Sequence, residues 1–308
     1  MKNKIITRII IFVSLVFTAH LSIAQTEIDA IMMNKKQFCT GFMYSKSNWK
    51  NYWEGTNKRD NANLGNVSSQ EFSVQGNYGV KKNLNVLFSL PFMSTKASAG
   101  TMNSMKGLQD FSLFVKYMAI EKEFGIGVFS IYGIGGLSFP ISNYVADFLP
   151  LSIGLRSTNL SLRGMMDYQI NNWFATASAA YVRRSNIKLD RSAYYTTELH
   201  YTNEVKMPNA VSYNVRAGFR TEKLIAEAVL NNWTTIGGFD ITKNNMPFPS
   251  NKMNSTTIGF NGKYYLKNLP NFSVNAGLNF TVAGRNVGQA TRSNIGVFYV
   301  FGTGKQKG

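Results

Sequence analysis

The sequence predicts an all-β protein, an antiparallel transmembrane β-barrel of the outer membrane with about 12 strands. Three observations lead to this fold class: an export signal, alternation of apolar and polar residues along many segments, and a regular change between short turns and long loops. The composition agrees, because 13% of residues are aromatic and only 16% are charged, whereas soluble domains have roughly 25% charged residues.

The first 24 residues have the layout of a secretory signal peptide. Lys2, Lys4 and Arg8 precede an apolar run at 9–17, and small residues at Ser22 and Ala24 mark the cleavage region. The run is too short to span a bilayer, which takes about 20 apolar residues. We predict cleavage after Ala24, which leaves the mature chain with a net charge of 17 − 3 = +14. The positive charges do not form one stripe, so no nucleic-acid partner is expected.

Period-two alternation marks the predicted strands, and the segment 211–220 shows it most clearly. Val211, Val215 and Phe219 lie on one face of that segment, while Arg216 and Arg220 lie on the other. The same rule places strands near 37–47, 67–79, 83–94, 108–119, 124–138, 155–169, 173–187, 207–220, 223–234, 254–266, 271–283 and 291–302.

The connections between these strands alternate in length, as they do in outer-membrane barrels with short periplasmic turns and longer external loops. Short turns are predicted at 80–82, 120–123, 171–172, 221–222 and 267–268, and longer loops at 48–66, 95–107, 139–154, 188–206, 235–253 and 284–290. A soluble β-sandwich has no reason for such regularity. Aromatic residues near strand ends fit interfacial girdles; they are Tyr44, Tyr78, Tyr117, Tyr168, Trp173, Tyr264, Tyr299 and Phe301.

An even strand count places both termini in the periplasm. The predicted organisation is a signal peptide at 1–24, a periplasmic N-terminal stub at 25–36, the barrel at 37–303 and a disordered tail at 304–308. Residues 25–36 have a second arrangement open to them, in which they fold up into the barrel.

Charged residues at inward positions are the candidate functional residues, and the role expected of them is in transport. They are Lys116, Arg163, Arg216, Arg220 and Lys263, with the acids Asp110, Asp167 and Glu227. Five bases against three acids give a mild positive bias, which favours the passage of anions. The other interpretation is that these bases and acids pair across a narrow lumen and fill it.

No catalytic, metal or cofactor site is predicted. His200 and Thr202 have the two-residue spacing of the His and Ser in outer-membrane phospholipases, and Asn203 follows, but Thr stands where Ser is needed. His200 is therefore interpreted as a loop histidine. Cys39 is the single cysteine, so it forms no internal disulfide and is interpreted as a small barrel residue.

The stretch from the second to the fourth predicted strand carries the marks of a known family. They are Tyr78-Gly79, Asn83-Leu84-Asn85-Val86, Leu90-Pro91-Phe92, Gly107-Leu108-Gln109-Asp110 and Lys116-Tyr117. This set resembles the family named for the meta-pathway of phenol degradation. The resemblance implies an outer-membrane barrel that transports aromatic or other hydrophobic compounds, loosely akin to the long-chain fatty-acid transporters. Gln109 and Ile141 depart from the family pattern, which has Gly at both positions.

Three hypotheses for function follow, all for a protein of the cell outer membrane in contact with its lipid. The first is a passive channel or transporter for small hydrophobic, aromatic or anionic compounds. The second is a lipid hydrolase that uses His200, which we do not expect. The third is a structural or surface-binding barrel with a filled lumen. The sequence defines neither the identity of a small-molecule cargo nor the oligomeric state.

Overall fold

The computed structural model describes residues 26–243, 245–269 and 271–302. The predicted signal peptide at 1–24 and the predicted tail at 304–308 lie outside these residues. The described chain forms one closed antiparallel sheet of twelve strands: β1 (Phe38–Trp49), β2 (Val67–Lys81), β3 (Leu84–Ala97), β4 (Met105–Leu108 and Asp110–Phe124), β5 (Gly127–Pro140), β6 (Asn159–Ile170), β7 (Trp173–Arg184), β8 (Asn209–Arg220), β9 (Leu224–Ile236), β10 (Asn254–Tyr265), β11 (Phe272–Arg285) and β12 (Thr291–Phe301).

Each strand pairs with its neighbour in the chain, and the barrel closes where β1 pairs with β12. The closing register places Phe38 beside Phe301 and Asn48 beside Thr291. Closure leaves no unpaired sheet edge, which a bilayer demands because no water is present to satisfy backbone groups. The predicted fold class and strand number are confirmed.

One predicted turn is wrong. Residues 120–123 belong to β4, which continues to Phe124 and turns at Gly125 and Ile126, with Gly125 in the left-handed region at φ 62°. A register shift between Met118 and Ile120 lets this strand extend. The charged run Glu121-Lys122-Glu123 is polar because it is exposed beyond the membrane, and not because the chain reverses there.

The two faces of the barrel wall differ as the alternation predicts. Val215 is 47% exposed on the lipid side, whereas its neighbours Asn214 and Arg216 are 2% and 5% exposed on the lumen side. Trp173 and Phe301 stand exposed at periplasmic strand ends, where amphipathic and aromatic rings suit the membrane interface. No helix in the described residues is long and apolar enough to cross a membrane.

The outer loops pack on one another above the barrel. Short strand pairs stiffen them, Asn51–Glu54 with Asn57–Asp60 and Ile187–Lys188 with Glu204–Val205. Two apolar clusters lie beneath the loops, one around Leu189, Val205 and Met207 and the other around Leu64 and Leu151. The loops between the strands at this end, 50–66, 98–104, 141–158, 185–208, 237–253 and 286–290, therefore form a folded layer that we call the outer cap. One of the cavities described below lies in it.

Candidate functional site: the barrel lumen

The described part of the N-terminal stub, residues 26–36, does not lie loose in the periplasm but enters the barrel, the second of the two arrangements open to it. Its apolar side chains reach three parts of the wall. Ala30 packs against Tyr132 of β5 and Met165 of β6, Ile31 packs between β7 and β9, and Met33 packs between β1 and β12. The segment therefore crosses the lumen from wall to wall.

Lys116 of β4 holds this segment in place. Its side chain is fully buried, and Nζ donates to the backbone oxygens of Thr26, Asp29 and Ile31 at 2.5, 2.8 and 3.3 Å. Nζ also lies 3.2 Å from the Asp29 carboxylate. Tyr132 adds a hydrogen bond from its hydroxyl to the Ala30 oxygen, 2.9 Å long. Lys116 thus satisfies three backbone oxygens and one carboxylate of the N-terminal segment, which pairs with no strand of the wall in the described residues.

Asp29 balances the charge of Lys116 and shapes the segment. Its carboxylate accepts hydrogen bonds from the Thr26 backbone N–H at 2.5 Å, from the Thr26 hydroxyl at 2.9 Å and from the Ile31 N–H at 3.1 Å. The sequence-based interpretation did not single out this residue. The signal available was the apolar Ile28 and Ile31–Met33 around Asp29, a pattern that a solvated stub has no need for.

The eight predicted lumen residues all lie on the inner face, and several form pairs. Arg216 donates to Glu227 at 2.8 Å, and both side chains are less than a tenth exposed. Arg220 lies 3.2 Å from Asp167, and its guanidinium stacks 3.9 Å above the ring of Phe174. Both pairs join neighbouring parts of the wall, Arg216 and Glu227 on the adjacent strands β8 and β9, and Arg220 and Asp167 on β8 and β6, so they neutralise charge along the wall and do not reach across the lumen.

The other predicted residues have separate surroundings. Arg163 donates to the Ser178 hydroxyl at 2.8 Å, and Lys263 lies 5.3 Å from the ring centre of Tyr265. Asp110 lies at the outer end, where it accepts a 2.5 Å hydrogen bond from Tyr144 of the outer cap. Burial raises the pKa of Tyr144, and the adjacent carboxyl raises it further, so this phenol stays a donor.

The positive bias expected from the inward residues is smaller than the wall residues alone suggest. The N-terminal segment contributes Glu27 and Asp29, and Asp29 forms an ion pair with Lys116. Apart from the inward pair of Arg292 and Glu71, which neutralise each other, the five predicted inward bases then face three wall acids and two segment acids. These acids come from a part of the chain that the strand pattern does not cover.

Two cavities lie on either side of the segment. The first, of about 180 Å³, lies between Asp29 and the wall at Arg216, Glu227 and Lys263. The second, of about 610 Å³, opens towards the periplasm and is lined by Ala30, Glu121, Glu123, Asp167 and Arg220 among others. The segment is thus the partition between the two spaces.

The outer cap holds a cavity of about 480 Å³ whose lining includes the aromatic residues Phe148, Tyr194, Tyr195, Phe239 and Phe248. Tyr194 stacks on Phe248 with ring centres 5.3 Å apart, and Phe239 lies 6.2 Å from Phe248. Arg191 and Asp147 form an ion pair at its edge. An apolar lining with a charged edge suits a small aromatic solute.

A second charged contact ties the loop 237–253 to the barrel rim. Arg285 donates to both oxygens of Asp240 at 2.7 and 2.6 Å, and Asn286 donates at 2.8 Å. These hydrogen bonds, chiefly those from Arg285, lower the pKa of Asp240 to about 2. The contact therefore persists in mildly acidic solution.

His200 lies in the outer cap and not beside a nucleophile set. Its ring stacks on Tyr194 with centres 4.8 Å apart, and Nε2 lies 2.9 Å from the Thr196 hydroxyl. The Thr202 hydroxyl accepts the Glu204 backbone N–H at 3.1 Å. The surroundings are those of a packed loop residue. Cys39 is a buried free cysteine packed against Met33.

Comparison with known proteins gives one family match. A sequence profile of the family described as "Putative MetA-pathway of phenol degradation" matches residues 59–295. No curated protein matches the chain.

Solved structures give the likeness in fold. The chain is similar to the COG4313 outer membrane channel from Pseudomonas putida F1, with a TM-score of 0.70 and 13% identity over 91% of this chain and 100% of that chain. The translocator domain of the autotransporter NalP from Neisseria meningitidis gives a TM-score of 0.46 and 12% identity over 85% and 87%. The TodX deltaS2S3 mutant monoaromatic hydrocarbon channel gives 0.44 and 9% over 87% and 90%.

Proposed function

The chain belongs to the family described as "Putative MetA-pathway of phenol degradation", and on that premise we propose that it is a passive channel for small molecules. The observation that carries the proposal is the arrangement of the lumen. The N-terminal segment lines two cavities, of about 180 and 610 Å³, and it is bound to the wall by hydrogen bonds, an ion pair and side-chain packing. Such contacts are reversible, so the segment can leave without disturbing the twelve-stranded wall.

The proposed cargo is a small aromatic compound, including aromatic acids. The cavity of the outer cap, lined by Phe148, Tyr195 and Phe239 among others, supplies apolar surface for such a solute on the external side. Inside the wall, Arg163 adds positive charge beside the Ser178 hydroxyl. Because Arg216 and Arg220 are paired with carboxylates, any preference for anions is modest. No energy source is needed, since movement follows the concentration gradient.

Conductance of the purified protein in a planar bilayer tests the channel role. The full mature chain should conduct in brief openings, and a variant that lacks residues 26–33 should conduct for most of the recording time. Liposomes that contain the protein should take up benzoate faster than benzylamine, with benzyl alcohol as the neutral control of similar size. Absence of conductance in both the full chain and the shortened variant would refute the proposal.

A barrel with a permanently filled lumen is the second candidate, and a specific observation favours it. Lys116 is fully buried and makes three backbone hydrogen bonds and an ion pair to the segment, which is extensive anchoring for a gate. The same recordings separate the two candidates. A shortened variant that opens while the full chain never does would assign the segment a structural role.

A further inference from the structure

The outer surface of strands β1–β4 carries a cluster of lysines near the external loops. Lys46, Lys96 and Lys106 are all exposed, and we refer to them as the lysine band. Their side chains point away from the lumen, because the adjacent inward residues Ser45 and Thr95 are each 4% exposed. The band therefore faces the membrane and not the pore.

The strand register places the band at one level of the barrel. Lys46 pairs with Gln70, Gln70 with Ser94, and Ser94 with Lys106. Lys96 lies two residues beyond Ser94 on the same strand. With strands about 4.8 Å apart and a rise of about 3.4 Å per residue, the Cα atoms of Lys96 and Lys106 are about 8 Å apart, and those of Lys46 and Lys106 about 14 Å.

The row of residues next to the band, on the side of the bilayer centre, is apolar. Tyr44 pairs with Phe72, Phe72 with Phe92, and Phe92 with Leu108. These four side chains are 40%, 48%, 42% and 40% exposed, as lipid-facing residues are. The band thus lies where the hydrocarbon ends. This end of the barrel carries the long loops and is the external one, so the band lies at the headgroups of the outer leaflet.

The band has no compensating acid nearby. Within the described residues, none of the three lysines forms an ion pair. The outward residues of β1–β3 and of Met105–Leu108 include no carboxylate. Glu71 lies on β2 at this level but faces the lumen, where it pairs with Arg292 at 2.7 Å. Uncompensated positive charge at a headgroup level attracts anionic lipid.

We propose that the lysine band binds the phosphate groups of a phosphorylated lipid of the outer leaflet. The ammonium groups of Lys96 and Lys106 are close enough to share one phosphate. The Cα atom of Lys46 lies about 14 Å from that of Lys106, so Lys46 is placed to bind a second phosphate of the same lipid. The acyl chains then lie along the apolar row from Tyr44 to Leu108. This inference concerns the outside of the barrel and stands independently of the channel role.

Affinity for purified bisphosphoryl lipid A in detergent micelles, measured by native mass spectrometry, tests the proposal. Wild type should bind it at least about tenfold more tightly than lipid A stripped of its phosphates, since each basic residue near an anionic surface contributes about a fivefold effect that salt partly screens. The variant with Lys46→Gln, Lys96→Gln and Lys106→Gln should lose this preference. The matched control replaces Lys81, Lys82 and Lys122 with Gln, which removes three exposed lysines at the periplasmic end and should leave it unchanged.

Folding of each variant is checked by the mobility difference between heated and unheated protein on a gel. Should the triple variant not fold, the variant with Lys96→Gln and Lys106→Gln is expected to lose most of the preference. Equal affinity of wild type for the phosphorylated and stripped lipid would overturn the proposal, and so would an equal loss in the periplasmic control. Competition by inorganic phosphate at matched concentration would show that the lipid is not the ligand.

Discussion

Replacement of Lys116 by Met should release the N-terminal segment and open the barrel. The substitution removes the donor for the backbone oxygens of Thr26, Asp29 and Ile31 and leaves the Asp29 carboxylate without its cation. Removing one partner of a buried ion pair costs about 3–5 kcal/mol. That cost exists only while the segment is seated. At about 1.4 kcal/mol per factor of ten, the ratio of released to seated segment should rise about 100-fold or more.

Open probability of single channels in planar bilayers measures this change. Lys122→Met is the matched control, because Lys122 lies on the same strand and is exposed at its periplasmic end. Adding Asp29→Asn to Lys116→Met should restore much of the closed state, since it removes the unpaired carboxylate. A folded Lys116→Met protein with the open probability of wild type would refute the assignment of Lys116 as the anchor.

Four further predictions concern the wall and the outer cap. Val215→Arg should destabilise the barrel by about 2–4 kcal/mol in denaturant unfolding, whereas Val215→Leu should not. Arg216→Gln combined with Arg220→Gln should shift the reversal potential under a salt gradient towards cation selectivity, because the carboxylates that these residues pair with keep their charge. His200→Ala should leave conductance unchanged, and neither protein should hydrolyse phospholipid. The contact between Asp240 and Arg285 should protect the loop 237–253 from an acid-active protease. The protection should be complete above pH 4 and should be lost as the pH falls through the Asp240 pKa of about 2.

Each of these expectations has an outcome that contradicts it. Tolerance of Arg at position 215 would mean that this face does not meet lipid. An unchanged reversal potential would show that the two arginines do not influence the pore. Loss of a lipase activity in the folded His200→Ala protein would revive the hydrolase hypothesis. Equal protection of an Asp240→Asn variant at pH 5 would show that the carboxylate does not tie the loop.

The wall of the barrel could be predicted from the sequence because its signal is local. Alternation with a period of two residues assigns Val215 and Arg216 to opposite faces without knowledge of any partner strand, and the structure places them so. The strand positions follow from the same pattern. The turn predicted at 120–123 failed because charged residues also occur where a strand extends past the membrane into water.

The content of the lumen could not be predicted in the same way. Lys116 and Asp29 are separated by 87 positions in the chain, and nothing in either local pattern states that they meet. Their pairing depends on the closed register of twelve strands and on the path of a segment that has no partner strand. Local patterns were sufficient for the class of fold and the two faces of the wall, because the contrast between lipid and water is repeated along each strand, and short motifs were sufficient for the family resemblance. Which charges neutralise each other and what fills the lumen could be read only from the folded barrel, because Coulomb interactions and packing depend on distances that folding creates.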